Sequence, residues 1–202
     1  MLSKFGRAFF AGPLARLAPY LHRLGVTPNA LSLVGFVLTL ASTGLIASGQ
    51  LWWGGIVLWI AATFDMLDGS LARYANQVSK FGAFLDSTLD RYSESITLIG
   101  LAAYYANQPN SQTSLILIFF TLMGSWMVSY TRARAEGLGL ECKVGILQRP
   151  ERIVLLVAGL LLGWMGPVLW ILAVLTNITA LQRIHQVYSQ TVGPTQSRPA
   201  GD

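Results

Sequence analysis

Charged residues are absent from Ala30 through Ala47, and long apolar stretches recur at about 51–73, 82–106, 112–134, 151–165 and 167–187, separated by short polar links. A helix crossing a hydrocarbon core of about 30 Å needs about 20 predominantly apolar residues. The pattern therefore predicts six transmembrane helices. Ahead of them, residues 1–23 set Leu2, Phe5, Phe9, Phe10, Leu14, Leu17 and Leu21 among Lys4, Arg7, Arg16 and Arg23. Such mixing suits an amphipathic helix lying in the membrane interface, broken or kinked at Gly12-Pro13. Gly25 to Asn29 reads as a turn. After Tyr188 the chain carries Gly193, Pro194, Pro199 and Gly201 and reads as a disordered tail. The predicted fold is all-α integral membrane: an interfacial helix (1–23), a six-helix membrane domain (24–188) and a tail (189–202). Gly159-x3-Gly163 matches a helix-packing motif.

Composition agrees with this pattern. Of 202 residues, 53 % are hydrophobic and 11 % charged, with mean hydropathy +0.52, against about a quarter charged in soluble domains. A disordered chain is excluded. Cys142 stands alone, so no intramolecular disulfide forms. The formal charge of +5 suits nucleic acid, anionic lipid or a phosphorylated substrate. Cations interrupt the first apolar stretches, which argues against a cleavable signal peptide. With the N-terminus inside, the outer loops 48–51, 106–112 and 165–167 contain no Lys or Arg. Short loops rich in cations stay cytoplasmic, so a multi-pass protein of the cell membrane with both termini and its chemistry on the cytoplasmic side is expected.

The acids change the picture. Of nine, five lie within thirty residues: Asp65, Asp68, Asp86, Asp90 and Glu94. The uncharged run from Leu51 to Phe64 climbs about 21 Å at about 1.5 Å per residue, which places Asp65 in the inner third of the membrane. Asp65 and Asp68 share a helical face, as do Gly82, Asp86 and Asp90. The link 74–81 predicts that the two helices are antiparallel neighbours, so that four carboxylates converge. Buried carboxylates are costly and repel one another. Arg73 and Arg91 are too few to neutralise them. Divalent metal is the economical answer, with oxygen donors suiting Mg²⁺, Mn²⁺ or Ca²⁺ over Zn²⁺, and two such ions would clamp a diphosphate. Helix-helix salt bridges, or a cation or proton pathway, are the alternatives. The other spans lack acids that would continue such a pathway. The small residues Gly69, Ala72 and Gly82 leave room for a ligand or a helix to approach.

Together, Asp65-x2-Asp68-Gly69-x2-Ala72-Arg73-x8-Gly82-x3-Asp86-x3-Asp90 resembles the signature of the CDP-alcohol phosphotransferases. That resemblance implies a two-metal site, with Mg²⁺ or Mn²⁺ bridging the acids and the pyrophosphate of a CDP-linked lipid. Asp65, Asp68 and Asp86 would be metal ligands, and Asp90 a ligand, the general base or both. Gly69, Ala72, Arg73 and Gly82 would meet the CDP-lipid. Asn29 and Ser32, after Pro28, are further nucleotide candidates, equally explained as helix caps. Some relatives carry Asp where this chain has Asn29. A homodimer is expected from the resemblance.

Beyond the acids lie Ser129-Tyr130-Thr131-Arg132-Ala133-Arg134-Ala135-Glu136, then Lys143, Gln148-Arg149-Pro150-Glu151-Arg152 and Gln182-Arg183-Ile184-His185. A cytoplasmic cationic cluster attracts an anionic substrate, although positive-inside topology explains single members as well. These stretches are similar to the branch of the family that makes phosphatidylinositol phosphate. The similarity implies CDP-diacylglycerol as donor and 1L-myo-inositol 1-phosphate as acceptor, with no role for nucleic acid. Arg132, Arg152 and Arg183 are the first candidates for the acceptor phosphate, Arg134 and Arg149 the second. Glycerol 3-phosphate, serine or an archaeal-type CDP-lipid are the alternative substrates. His22 and His185 lack partners at metal-ligand spacing. Glu94, next along the Asp86 and Asp90 face, is placed to support the acids or to pair with Arg91.

Overall fold

The computed structural model describes residues 17–192. Seven helices make up this region, and it contains no strand: α1 (Ala18–Arg23), α2 (Pro28–Ala47), α3 (Leu51–Tyr74), α4 (Lys80–Ala106), α5 (Gln112–Gly137), α6 (Arg149–Leu162) and α7 (Met165–Thr191). Local chemistry sets several ends. Thr27 accepts a hydrogen bond from the Ala30 amide at 3.3 Å, and Pro28 opens α2. The Ser79 hydroxyl accepts from the Gly82 amide at 2.9 Å at the start of α4. Gly163, at φ 70°, ends α6 in the left-handed conformation that glycine adopts without strain.

Helices α2, α3, α5 and α7 are long and apolar enough to cross a membrane, as a multi-pass membrane protein requires. The other two of the six expected spans are helices of a different kind. The N-terminal part of α4 carries Asp86, Asp90, Arg91 and Glu94, while α6 has only 14 residues. Of the expected interfacial helix, residues 1–16 lie outside the described region. Its end forms α1, where Ala18 is buried with Leu31, Leu67 and Leu71. The expected tail begins later than 189, because α7 continues to Thr191; residues 193–202 lie outside the described region.

The packing corrects one expectation. Helices α3 and α4 are not principally each other's neighbours; each packs mainly against α2. Helix α5 pairs with α7, and α6 packs on α3 and α7. The main apolar core, including Ile46, Leu58, Leu98, Leu101, Leu160 and Leu169, gathers toward the end of the bundle remote from the acids. Small residues allow the close crossings there. A Cβ on Gly54 would lie 2.5 Å from Ile46, and one on Gly159 would lie 2.7 Å from the Met165 sulfur. Gly159 and Gly163 thus serve a contact and a turn within this chain. Gly100 meets backbone: its Cβ would lie 2.9 Å from the Thr43 carbonyl oxygen.

Since backbone cannot step aside as a side chain can, Gly100→Leu should separate α2 from α4 and cost about 1–3 kcal/mol. A thermal melt of the purified protein in detergent should show a lowered midpoint; an unchanged one would contradict the crossing.

Candidate functional site

Helix α3 contributes Asp65 and Asp68, and α4 contributes Asp86, Asp90 and Glu94. One carboxylate oxygen from each of Asp65, Asp68 and Asp86 lies within 4.8 Å of the others. Because α3 and α4 lean on α2 instead of on one another, the space between them is left to these side chains. Asp68 is buried and accepts a hydrogen bond from the Ser32 hydroxyl of α2. Ser32 therefore orients an acid, a more specific role than a helix cap.

Asp90 joins the three through a shared arginine. Its Oδ1 lies 2.6 Å from Nη1 of Arg149, and the same nitrogen lies 2.5 Å from Asp65 Oδ2. Arg91 Nη1 lies 3.3 Å from the other Asp90 oxygen and donates to the Ser87 carbonyl at 2.8 Å. The four carboxylates thus face one site: Asp65, Asp68 and Asp86 meet directly, and a guanidinium from α6 bridges Asp90 to Asp65.

One turn further along both helices the pairing repeats. Arg152, 2 % exposed, donates through Nε and Nη2 to the two Glu94 oxygens at 2.6 and 2.8 Å, and through Nη1 to the Leu147 carbonyl at 3.4 Å. Glu94, expected either to support the acids or to pair with Arg91, pairs with Arg152. A fork-to-fork pair of this kind is geometrically demanding and, once buried, expensive to break. Arg149 and Arg152 were expected to serve an acceptor phosphate; here each is engaged with acids of the site.

The other cations are placed differently. Arg183 is buried and donates to the Val144 carbonyl at 2.9 Å and to the Val128 carbonyl, holding the α5–α6 loop against α7. The Thr179 hydroxyl accepts from the Leu147 amide at 3.1 Å in the same seam. Arg132 pairs with Glu136 at 2.8 Å on the exposed end of α5, and Arg134 is exposed beside it. On α3, Arg73 is exposed with Nη1 3.5 Å from where a Gly69 Cβ would stand, and half-buried Ala72 lies next to it. A Gly82 Cβ would lie 3.4 Å from Asn29 Oδ1, so Asn29 and Gly82 adjoin across the α2–α4 contact. The nucleotide candidates therefore fall in two groups, Gly69, Ala72 and Arg73 at the end of α3 and Asn29 with Gly82 where α2 meets α4.

Sequence reasoning missed the Arg149–Asp90 and Arg152–Glu94 ladder. Its signal was present, as cations three apart on α6 and acids four apart on α4, but the pairing needed the packing of α6.

An all-helical bundle with hard oxygen donors clustered at one end of membrane-length helices defines a class, and comparison with known proteins supplies its chemistry. The model of the CDP-alcohol phosphatidyltransferase family matches residues 25–181. The chain belongs to that family and is an enzyme, a transferase of substituted phosphate groups. It is 34 % identical over 195 residues to a phosphatidylinositol phosphate synthase of Mycobacteroides abscessus, covering 93 % of this chain and 89 % of the relative. It is 40 % identical over 188 residues to an archaetidylinositol phosphate synthase of Pyrococcus horikoshii, covering 92 % and 96 %. The crystal structure of the Mycobacterium tuberculosis phosphatidylinositol phosphate synthase with CDP-DAG bound superposes with a TM-score of 0.83 at 32 % identity, covering 92 % of this chain and 98 % of that one. A structure of the same enzyme in complex with manganese and citrate gives a TM-score of 0.83.

Breaking the buried pair should be far more costly than breaking the exposed one. Glu94→Ala, which leaves the Arg152 charge uncompensated, should destabilise by about 3–5 kcal/mol, whereas Glu136→Ala should stay within about 1 kcal/mol. Equal shifts of the melting midpoint for the two variants would refute the distinction.

Proposed function

We propose that this protein transfers the phosphatidyl group of CDP-diacylglycerol to 1L-myo-inositol 1-phosphate, giving phosphatidylinositol phosphate and CMP. The observation that carries the reading is the meeting of Asp65, Asp68 and Asp86 in a chain whose relatives are named phosphatidylinositol phosphate synthases. The donor set fits a hard divalent cation: it offers carboxylate oxygens alone, with neither His nor Cys among them. Asp65, Asp68, Asp86 and Asp90 are the residues that would hold two Mg²⁺ or Mn²⁺ ions. Bound there, the metal would neutralise and orient the pyrophosphate of the donor.

The chain's own residues supply the rest. Asp90 accepts the proton of the acceptor hydroxyl as its oxygen forms a bond to the lipid-bearing phosphorus, and the bond from that phosphorus to CMP breaks. Ser32, through its hydrogen bond, holds Asp68 in orientation. Gly69, Ala72 and Gly82 leave space for the nucleotide, with Arg73 against a phosphate and Asn29 beside Gly82. Arg132 and Arg134 lie exposed at the end of α5 and receive the phosphate of the acceptor, with Arg183, buried on α7 and bonded to the Val128 and Val144 carbonyls, adding its charge from beneath; Arg149 and Arg152 extend the same field from α6. The uncharged loops support six membrane-crossing segments with both termini and the site cytoplasmic, and the family resemblance supports a homodimer.

A second reading keeps the chemistry and exchanges the donor. The similarity to the Pyrococcus horikoshii archaetidylinositol phosphate synthase favours an archaeal-type CDP-lipid, with the same inositol phosphate acceptor.

In nanodiscs with divalent metal, CDP-diacylglycerol should yield CMP with inositol phosphate and not with glycerol 3-phosphate or serine. Preference for either of these would overturn the acceptor, and turnover confined to an archaeal-type donor would replace the lipid. Asp90→Asn should lower kcat by about 10²–10⁴-fold while CDP-lipid binding persists; full turnover would remove Asp90 as base.

A further inference from the structure

The two arginines that α6 presents to the acidic site are held very differently. Arg152 is buried and its guanidinium is spent on both oxygens of Glu94 and on the Leu147 carbonyl. Arg149, one turn earlier, touches two acids through a single nitrogen, Nη1, at 2.5 Å from Asp65 and 2.6 Å from Asp90. Its Nε is buried without a hydrogen-bond partner among the described residues, and its side chain retains 21 % exposure. A guanidinium locked for structural purposes uses its fork bidentately, as Arg152 does. Arg149 has the marks of a group whose contacts can be exchanged.

The acids it holds are also metal-ligand candidates. Oxygen bonds to Mg²⁺ are about 2.0–2.1 Å long and would use the Asp65 oxygen that Nη1 occupies and the Asp90 Oδ1 that it approaches, which accepts no hydrogen bond among the described residues. Arg149 and Arg91 set two positive charges against Asp65, Asp68, Asp86 and Asp90, which leaves part of their mutual repulsion uncompensated, so doubly charged cations compete with Arg149. The backbone tolerates that exchange. Arg149 is the first residue of α6, and the Arg152–Glu94 pair a turn away keeps the helix start pinned while the Arg149 side chain rotates.

We propose that Arg149 is a displaceable counter-ion of the acidic site, which gives up Asp65 and Asp90 when divalent metal binds and thereby frees its guanidinium for an incoming phosphate. The inference rests on the metal site proposed above and adds an order of events to it: the arginine reaches the acceptor side only in the metal-loaded enzyme.

The test uses the purified full chain without substrates. An arginine-selective dicarbonyl reagent, with peptide mapping, reads the accessibility of Arg149 and Arg152 with and without saturating Mn²⁺. Modification of Arg149 should rise at least about fivefold with Mn²⁺ while Arg152 stays protected, since release changes the exposure of the first alone. Unchanged or slower labelling of Arg149 in protein that demonstrably binds Mn²⁺ would overturn the inference and leave the metal site standing. In parallel, Arg149→Gln should bind Mn²⁺ about five- to tenfold more tightly than the unsubstituted protein, because a competing charge has been removed. Equal or weaker affinity in that variant would also overturn it. If neither protein binds Mn²⁺, the metal reading of the site fails, and the displacement fails with it.

Discussion

Carboxylates gathered at one end of an apolar bundle dictate the arrangement of everything around them. Unit charges about 4 Å apart interact by about 4 kcal/mol at an effective dielectric near 20, and the oxygens of Asp65, Asp68 and Asp86 lie within 4.8 Å of one another. Helices carrying such side chains cannot close tightly on each other. Each rests instead on α2, and the space between them belongs to the acids. The Ser32 hydroxyl of α2 and the arginines of α6 enter that space because hydrogen bonds and opposite charge are what buried carboxylates require.

The remote half of the bundle makes this tolerable. Ile46, Leu58, Leu98, Leu101 and Leu169 are buried there, and glycines bring backbones close enough for dense packing, as Gly100 does against Thr43. Stability is concentrated where no chemistry occurs. The polar half is left with fewer apolar contacts, and ion pairs and carbonyl contacts hold it together. Arg183 and Thr179 fasten the α5–α6 loop to α7, while Arg152 and Glu94 fasten α6 to α4.

This division places a short helix at the centre of the site's electrostatics. With 14 residues, α6 begins at the depth of the acids and delivers two guanidiniums there. A full-length span beginning nearer the membrane surface would carry Arg149 and Arg152 away from Asp90 and Glu94. The expected start of that span at 151 left the first of these arginines outside the helix; the structure makes it the opening residue, with Pro150 suited to the first turn.

Much of this was legible in the residues themselves. Helical character, the positions of α2, α3, α5 and α7, and the membership of Asp65, Asp68 and Asp86 in one site follow from apolar run length, from 3.6-residue periodicity and from a motif of fixed spacing, all of which are local properties of a helix. Which helix neighbours which is not local. The separation of α3 from α4, the hold of Ser32 on Asp68, the bridging of Asp65 and Asp90 by Arg149 and the burial of Glu94 with Arg152 join residues up to 84 positions apart. Spacing along a chain says which side chains share a face; only packing decides which opposite charge that face will meet. The sequence by itself determined an acidic site in a membrane-type helical bundle, and the tertiary structure decided how its charge is balanced.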